Sequence, residues 1–275
     1  MRLVTIAFSH YNDKARWALQ YFGVAFDEWA CLPMFHMPAV LWASRGRLGA
    51  ADRISSRFST PLLVTDEGER LQDSSLIVRW LSDRYGDEST TLYPAAHREE
   101  ILAFEQRMHD EVGPHTRRIA YGVAFDHPRL FHEIVRRNVG TAQRLAFSSM
   151  GWAVLPWMKR GLKIDPVAVE RSVDKIEAAE AWMSERVAGR QFVVGDRFTA
   201  ADLSLATMLA PVVLPSPQEG YGAWLPPVDD VPPGKRRDLL LRLRASAAGQ
   251  HALRMYRRRA EATEPAATDT APADA

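Results

Sequence analysis

Four consecutive polar residues, Ser9-His10-Tyr11-Asn12, follow the apolar run LVTIAF at 3–8. Behind them Ala15, Ala18, Leu19 and Phe22 recur at helical spacing, until Gly23 stops the pattern. A strand that turns through polar residues into an amphipathic helix presents those residues at a helix N-terminus. Outward-pointing amides and the positive end of the helix dipole make such a place suited to an anion. The loop offers hydroxyl and amide groups but no thiol and no set of metal ligands.

The elements that must position this loop read as two units. AFDEWA (25–30) alternates as a second strand, so strand, helix and strand form a right-handed parallel βαβ unit. An irregular segment follows over 33–58, with Pro33, Pro38, Gly46 and Gly49. LLV and RL then flank the turn signal Asp66-Glu67-Gly68 as a hairpin, and Ile77, Trp80, Leu81 and Arg84 set one face of a helix ending at Gly86. From about residue 95 the pattern is helical throughout, over 95–122, 128–160, 166–188, 200–214 and 233–260. Asp165-Pro166 is a helix start with proline in the first turn. The expected domains are 1–86 (α/β) and 95–260 (all-α), with the Ala/Pro/Thr-rich 261–275 a disordered tail.

Composition narrows the function classes. Thirty-five Lys and Arg against 34 Asp and Glu, a net charge of +1, argue against a polyanion-binding surface or nucleic acid as the main partner. The one cysteine, Cys31, ends the second strand and reads as buried; alone it excludes an internal disulfide framework and a Cys-rich metal site. The six-residue apolar run near the N-terminus is too short for a signal-peptide core. The apolar segments 145–158 and 203–215 fall short of the roughly 20 residues of a membrane span, so a soluble, cytoplasmic protein is expected.

Three stretches together resemble the cytosolic glutathione S-transferases, and they span roughly residues 1–260 in family order. Ser9-His10-Tyr11-Asn12 with Lys14-Ala15-Arg16 is similar to the first-strand loop of serine-type, bacterial-like members. Thr60-Pro61-Leu62-Leu63 followed by Leu71-Gln72-Asp73-Ser74-Ser75-Leu76-Ile77 resembles the cis-proline strand and the acidic-Ser motif. Gly195-Asp196-Arg197-Phe198-Thr199-Ala200-Ala201-Asp202-Leu203 resembles the helix start of the C-terminal domain. This last motif is also a capping box between Thr199 and Asp202, with Phe198 and Leu203 at the staple positions. The resemblance implies an α/β thioredoxin-like N-terminal domain plus an all-α helical-bundle C-terminal domain, which is the glutathione transferase fold.

It also implies a site. Glutathione would be co-substrate, with no metal, and a small hydrophobic electrophile the second substrate, in a homodimeric detoxification enzyme. Ser9 would donate a hydrogen bond to the glutathione thiolate rather than act as nucleophile, since no base for serine attack stands near it. Tyr11 or Asn12 could substitute as donor, and Asn12 could instead cap the first helix. Thr60 would offer its backbone to the tripeptide beside Pro61 in a cis bond, and proline is the residue at which a cis peptide costs little. Asp73 and Ser74 would take the γ-glutamyl ammonium and carboxylate, or serve as an N-cap; the readings are compatible. Arg45, Arg47, Arg53 and Arg57 are all candidates for the glycine carboxylate, and the family's Gly-Lys-Val-Pro run is replaced here by Phe58-Ser59-Thr60-Pro61.

In the second domain Arg118 and Tyr121 are expected as walls of the electrophile pocket, His109 as a packed or exposed histidine, and Trp152 and Trp157 as core. Gly113-Pro114 separates His109 from His115 and argues against a shared metal. Serine and asparagine in the two cysteine places exclude dithiol exchange. The rival reading is a glutathione-binding or scaffold protein of the same fold without turnover.

Overall fold

A computed structural model describes residues 1–51 and 56–263, with the side chains of Trp152 and Val154 excepted. Four strands form one sheet in the order β2-β1-β3-β4. β1 (Arg2–Ile6) runs parallel to β2 (Asp27–Cys31), placing Val4 opposite Trp29. It runs antiparallel to β3 (Leu62–Val64), which turns at Gly68 into β4 (Arg70–Leu71). The central strand is covered on both faces, which is why it reads as a continuous apolar run. Leu3 and Leu63 face α1 (His10–Tyr21) and α3 (Ser74–Tyr85), while Val4 and Leu62 meet Val40 of α2 (His36–Ser44). The period of two along the strands sends neighbours to opposite cores. Helix α2 lies inside the stretch expected to be irregular.

The all-α part comprises α4 (Arg98–Arg107), a π-helical turn (Met108–Val112) and α5 (Gly113–Asp126). α6 (Pro128–Asn138), α7 (Thr141–Gly161), α8 (Pro166–Val187) and α9 (Ala200–Val213) follow, then α10 (Lys235–Ala245) and α11 (Ala247–Thr263). Two long helical segments read from the sequence are each a pair. The stretch 128–160 divides at Gly140, whose extended backbone caps α7, and 233–260 divides at Ser246, extended at ψ 161°. The final helix continues through Thr263, so 261–263 are helical where a disordered tail was expected; the rest of that tail, 264–275, lies outside the described residues.

α9 is buried at every position, the signature of a central helix. Its start carries the expected capping box: Asp202 Oδ2 accepts from the Thr199 amide at 3.1 Å, and the Thr199 hydroxyl accepts from Ala201 at 3.3 Å. Asp202 also accepts from the amide of Val193 at 2.8 Å and lies 2.9 Å from His251 Nε2, tying α9 to α11. Thr199→Ala should therefore lower stability by about 1–2 kcal/mol, the range for losing a helix cap, read as a shift in urea midpoint.

Two buried ionic clusters weld the domains through α1. Lys14, fully buried, donates to Glu105 of α4 at 2.6 Å and to Ser75 of α3 at 3.0 Å. Burial pulls its ammonium pKa down and Glu105 opposes that pull. Asp13, also fully buried, accepts from Arg16, from Tyr256 and Arg259 of α11, and from the Gly222 amide, all within 3.2 Å. No helix among the described residues is long and apolar enough to cross a membrane.

Candidate functional site

Between the two domains lies a cleft of about 390 Å³. Ser9, His10 and Tyr11 enter it from the N-terminal end of α1, Met34 and His36 from the start of α2, and Thr60 from the loop before β3. Phe8, Leu130, Phe131, Ile134 and Trp157 make its apolar wall, and Arg117 and Tyr121 face it from α5. The site is thus largely apolar, with a few convergent polar groups.

Ser9 is the N-cap of α1 by backbone, at φ −77° and ψ 128°, yet its hydroxyl makes no capping bond. Its carbonyl accepts from Asp13 N at 2.9 Å, so the backbone is fixed while the hydroxyl stays uncommitted among the described residues. Tyr11 lines the same cleft, and its hydroxyl lies close to the backbone of Gly113 at the start of α5. Asn12 is fully buried and donates from Nδ2 to the Thr60 hydroxyl at 3.3 Å. It neither caps α1 nor faces the cleft; it braces the turn at Thr60-Pro61, whose peptide bond is cis as expected.

Asp73 caps α3, its Oδ1 accepting from Ser75 N at 2.8 Å and Leu76 N at 3.0 Å. Ser74 is buried beside it. Asp73 lines a separate polar cavity of about 120 Å³ with Ser75, Arg79, Glu105, Gln106 and His109. The edge-to-face rings of Tyr11 and His109, 5.4 Å apart, link the two cavities. His109 is neither idle nor simply exposed, since its Nε2 stands 3.0 Å from Lys14 and 3.2 Å from Ser75. Arg45, Arg47 and Arg57 are exposed, and Arg57 is tied to the Gly46 carbonyl at 3.2 Å. Arg53 lies outside the described residues.

Two corrections concern the second domain. Arg118 does not line the interdomain cleft; it turns to the other side of α5, onto Ser172 of α8 at 2.9 Å. Arg117 takes the expected place, on the same helical face as Tyr121 four residues on. Trp157 is 71% exposed and borders the cleft rather than filling the core; the Trp152 side chain lies outside what is described. Tyr121 does stand in the wall, edge-on to Phe8 at 6.3 Å, its phenol pushed up to about 12 by burial against the opposing charge of Arg117.

His10 was not singled out by sequence reasoning. It is 3% exposed, and its Nε2 is buried with no hydrogen-bond partner among the described residues. Burial, and then the nearby Arg117 charge, lower its pKa to about 3, so the ring beside Ser9 is neutral. An unfolded chain binds a proton here below about 6.5, the folded one only near 3. Stability from this group is therefore complete above pH 6.5 and is lost as the pH falls toward 3, at about 1.4 kcal/mol per pH unit. Denaturant titrations across that window should show His10→Gln lowering the proton uptake on unfolding by about one.

The match to family models follows this geometry. Residues 8–84 match the glutathione S-transferase N-terminal domain, and residues 166–235 match the glutathione S-transferase C-terminal domain. The chain belongs to the cytosolic glutathione S-transferase family. Its fold is accordingly the thioredoxin-like domain joined to the helical C-terminal domain of these transferases.

Solved structures agree on that fold. A possible glutathione S-transferase from Rhodopseudomonas palustris is 16% identical, with a TM-score of 0.57 and 94% of both chains covered. A glutathione S-transferase domain-containing protein from Marinobacter aquaeolei VT8 is 17% identical, with a TM-score of 0.53, covering 92% of this chain and all of the other (100%). Poplar glutathione transferase F1 is 16% identical, with a TM-score of 0.53 and coverage of 94% and 97%. Among curated proteins no sequence match was found. In this transferase fold the Ser9 loop opens α1 at the domain boundary, and the matched N-terminal region also holds Thr60, Pro61, Asp73 and Ser74.

Proposed function

We propose that this chain is a glutathione S-transferase that joins the glutathione thiolate to a small apolar electrophile. The observation that carries the reading is the uncommitted Ser9 hydroxyl at the N-terminus of α1, opening into an apolar interdomain cleft. The α1 amides and the Arg117 guanidinium, which has no ion-pair partner among the described residues, supply positive potential. Ser9 donates to the sulfur and stabilises the anion once the thiol proton has gone to solvent. The sulfur then forms a C–S bond, and the leaving group departs with its electron pair, or the electrophile's π bond accepts the pair and is protonated. Holding both reactants in one cleft supplies much of the rate.

Thr60 and Pro61 would hold the tripeptide backbone, and Asp73 and Ser74 its γ-glutamyl end, within an N-terminal unit of 1–86. The walls of the helical unit, 95–260, would hold the electrophile. A cytoplasmic, homodimeric detoxification enzyme fits this reading. Purified protein with glutathione and an activated aryl chloride should form the thioether well above the uncatalysed rate. Glutathione binding without such a rate would instead favour a holder of the same fold.

A further inference from the structure

On the far side of α5 from the interdomain cleft, a second cleft of about 1300 Å³ lies among α5, α7 and α8. Arg118, Lys159, Arg160, Lys163, Arg171 and Lys175 all line it. The one carboxylate among its lining residues, Asp165, is spent on the first turn of α8, accepting from Ala168 N at 2.8 Å. Six cations against one acid, in a chain whose net charge is +1, is a local concentration rather than a general basic surface. Lys159, Arg160, Lys163, Arg171 and Lys175 form no ion pair among the described residues.

Arg118 is held in place at the floor. Its Nη1 donates to the fully buried Ser172 hydroxyl at 2.9 Å, and its Nε donates to the Lys163 carbonyl at 3.2 Å. Nη2 is left without a partner among the described residues. A guanidinium held at Nε and at Nη1, which also stands 3.4 Å from His115 Nδ1, with its Nη2 edge open and other cations around it, is pre-organised for an anion. Burial and then the neighbouring Arg117 and Arg171 charges push its pKa below the ordinary value, and Asp165 opposes them only in part. Trp157 adds a flat apolar face at the rim, 71% exposed.

We propose that this cleft binds a small ligand carrying two or more phosphate groups beside a planar ring, with the phosphates on the Arg118 floor and the ring on Trp157. A hollow bordered by three helices gathers its cations at one place, which suits a short chain of phosphates, whereas a nucleic-acid duplex needs an extended basic stripe. The site is separate from the proposed glutathione chemistry and does not depend on it. Trp157 borders both clefts, so an occupant here contacts the wall of the other.

Calorimetric titration of the full chain with tripolyphosphate and with ATP tests the proposal. Both should bind at one site per chain, ATP more tightly, and Trp157→Ala should remove ATP's margin over tripolyphosphate. Arg171→Glu with Lys175→Glu, both at exposed positions, should weaken each probe by about tenfold per reversed residue, as for one lost charge-assisted hydrogen bond. Arg129→Glu with Lys235→Glu makes the same change in net charge elsewhere and should leave binding nearly intact. No binding of either probe, or equal weakening by the two double variants, overturns the proposal. Tripolyphosphate binding as tightly as ATP overturns the assignment of the planar ring.

Discussion

Asp13→Asn should cost about 3–5 kcal/mol of stability, the range for leaving buried charges uncompensated. Arg16 and Arg259 are 4% and 5% exposed, and both turn to this carboxylate. Arg16 keeps Glu28 as a second partner at 2.6 Å, whereas Arg259 keeps the neutral Gln20 side chain and the face of the Trp17 ring, with no second carboxylate among the described residues. Tyr256 would lose a charged acceptor at 3.1 Å in the same step. The loss should concentrate at the seam between α1 and α11, because three of the four donor groups come from the helical domain. Hydrogen exchange should show α11 deprotected before the sheet. A stability change under about 1 kcal/mol would mean that the cluster relaxes around the neutral amide and does not hold the seam.

Ser9→Ala should reduce kcat/KM for conjugation about tenfold or more near neutral pH. The reduction follows if the hydroxyl holds the thiolate with one charge-assisted hydrogen bond, worth about 1.5–3 kcal/mol. The loss should shrink as pH rises past the ionisation of the free thiol near 8.5, where glutathione ionises without help. Asn12→Ala should act differently, by loosening the Thr60 turn rather than by changing the sulfur, so it should raise KM for glutathione and leave the pH profile in place. Equal activity of Ser9→Ala and the parent across the profile would remove Ser9 from the chemistry.

Where the sequence was legible, the reason is local. The strand-turn-helix at Ser9, the hairpin at Asp66-Glu67-Gly68, the start at Asp165-Pro166 and the Thr199/Asp202 box each depend on residues within a few positions of one another. Cys31 at the end of β2, 8% exposed, follows from the same short-range pattern. The partners of Asp13 could not be read this way, since Arg259 lies 246 residues on.

Spacing to Tyr121 could not separate Arg117 from Arg118, since residues three and four apart both share a helical face. The π-helical turn at Met108–Val112 fits an extra residue into the helix and rotates α5 relative to α4. The phase of α5 is then not the continuation of the α4 pattern. His10 was hidden for another reason. Its neutral state comes from burial under α5 and from Arg117, both contributed by the other domain.

The most direct test of the central claim is an ultraviolet difference titration of the thiolate of glutathione bound to the purified chain, with Ser9→Ala in parallel. Bound glutathione should ionise at least about one unit below the free thiol's 8.5, and Ser9→Ala should move this ionisation back up. Bound glutathione that ionises like the free thiol in both proteins would contradict that claim.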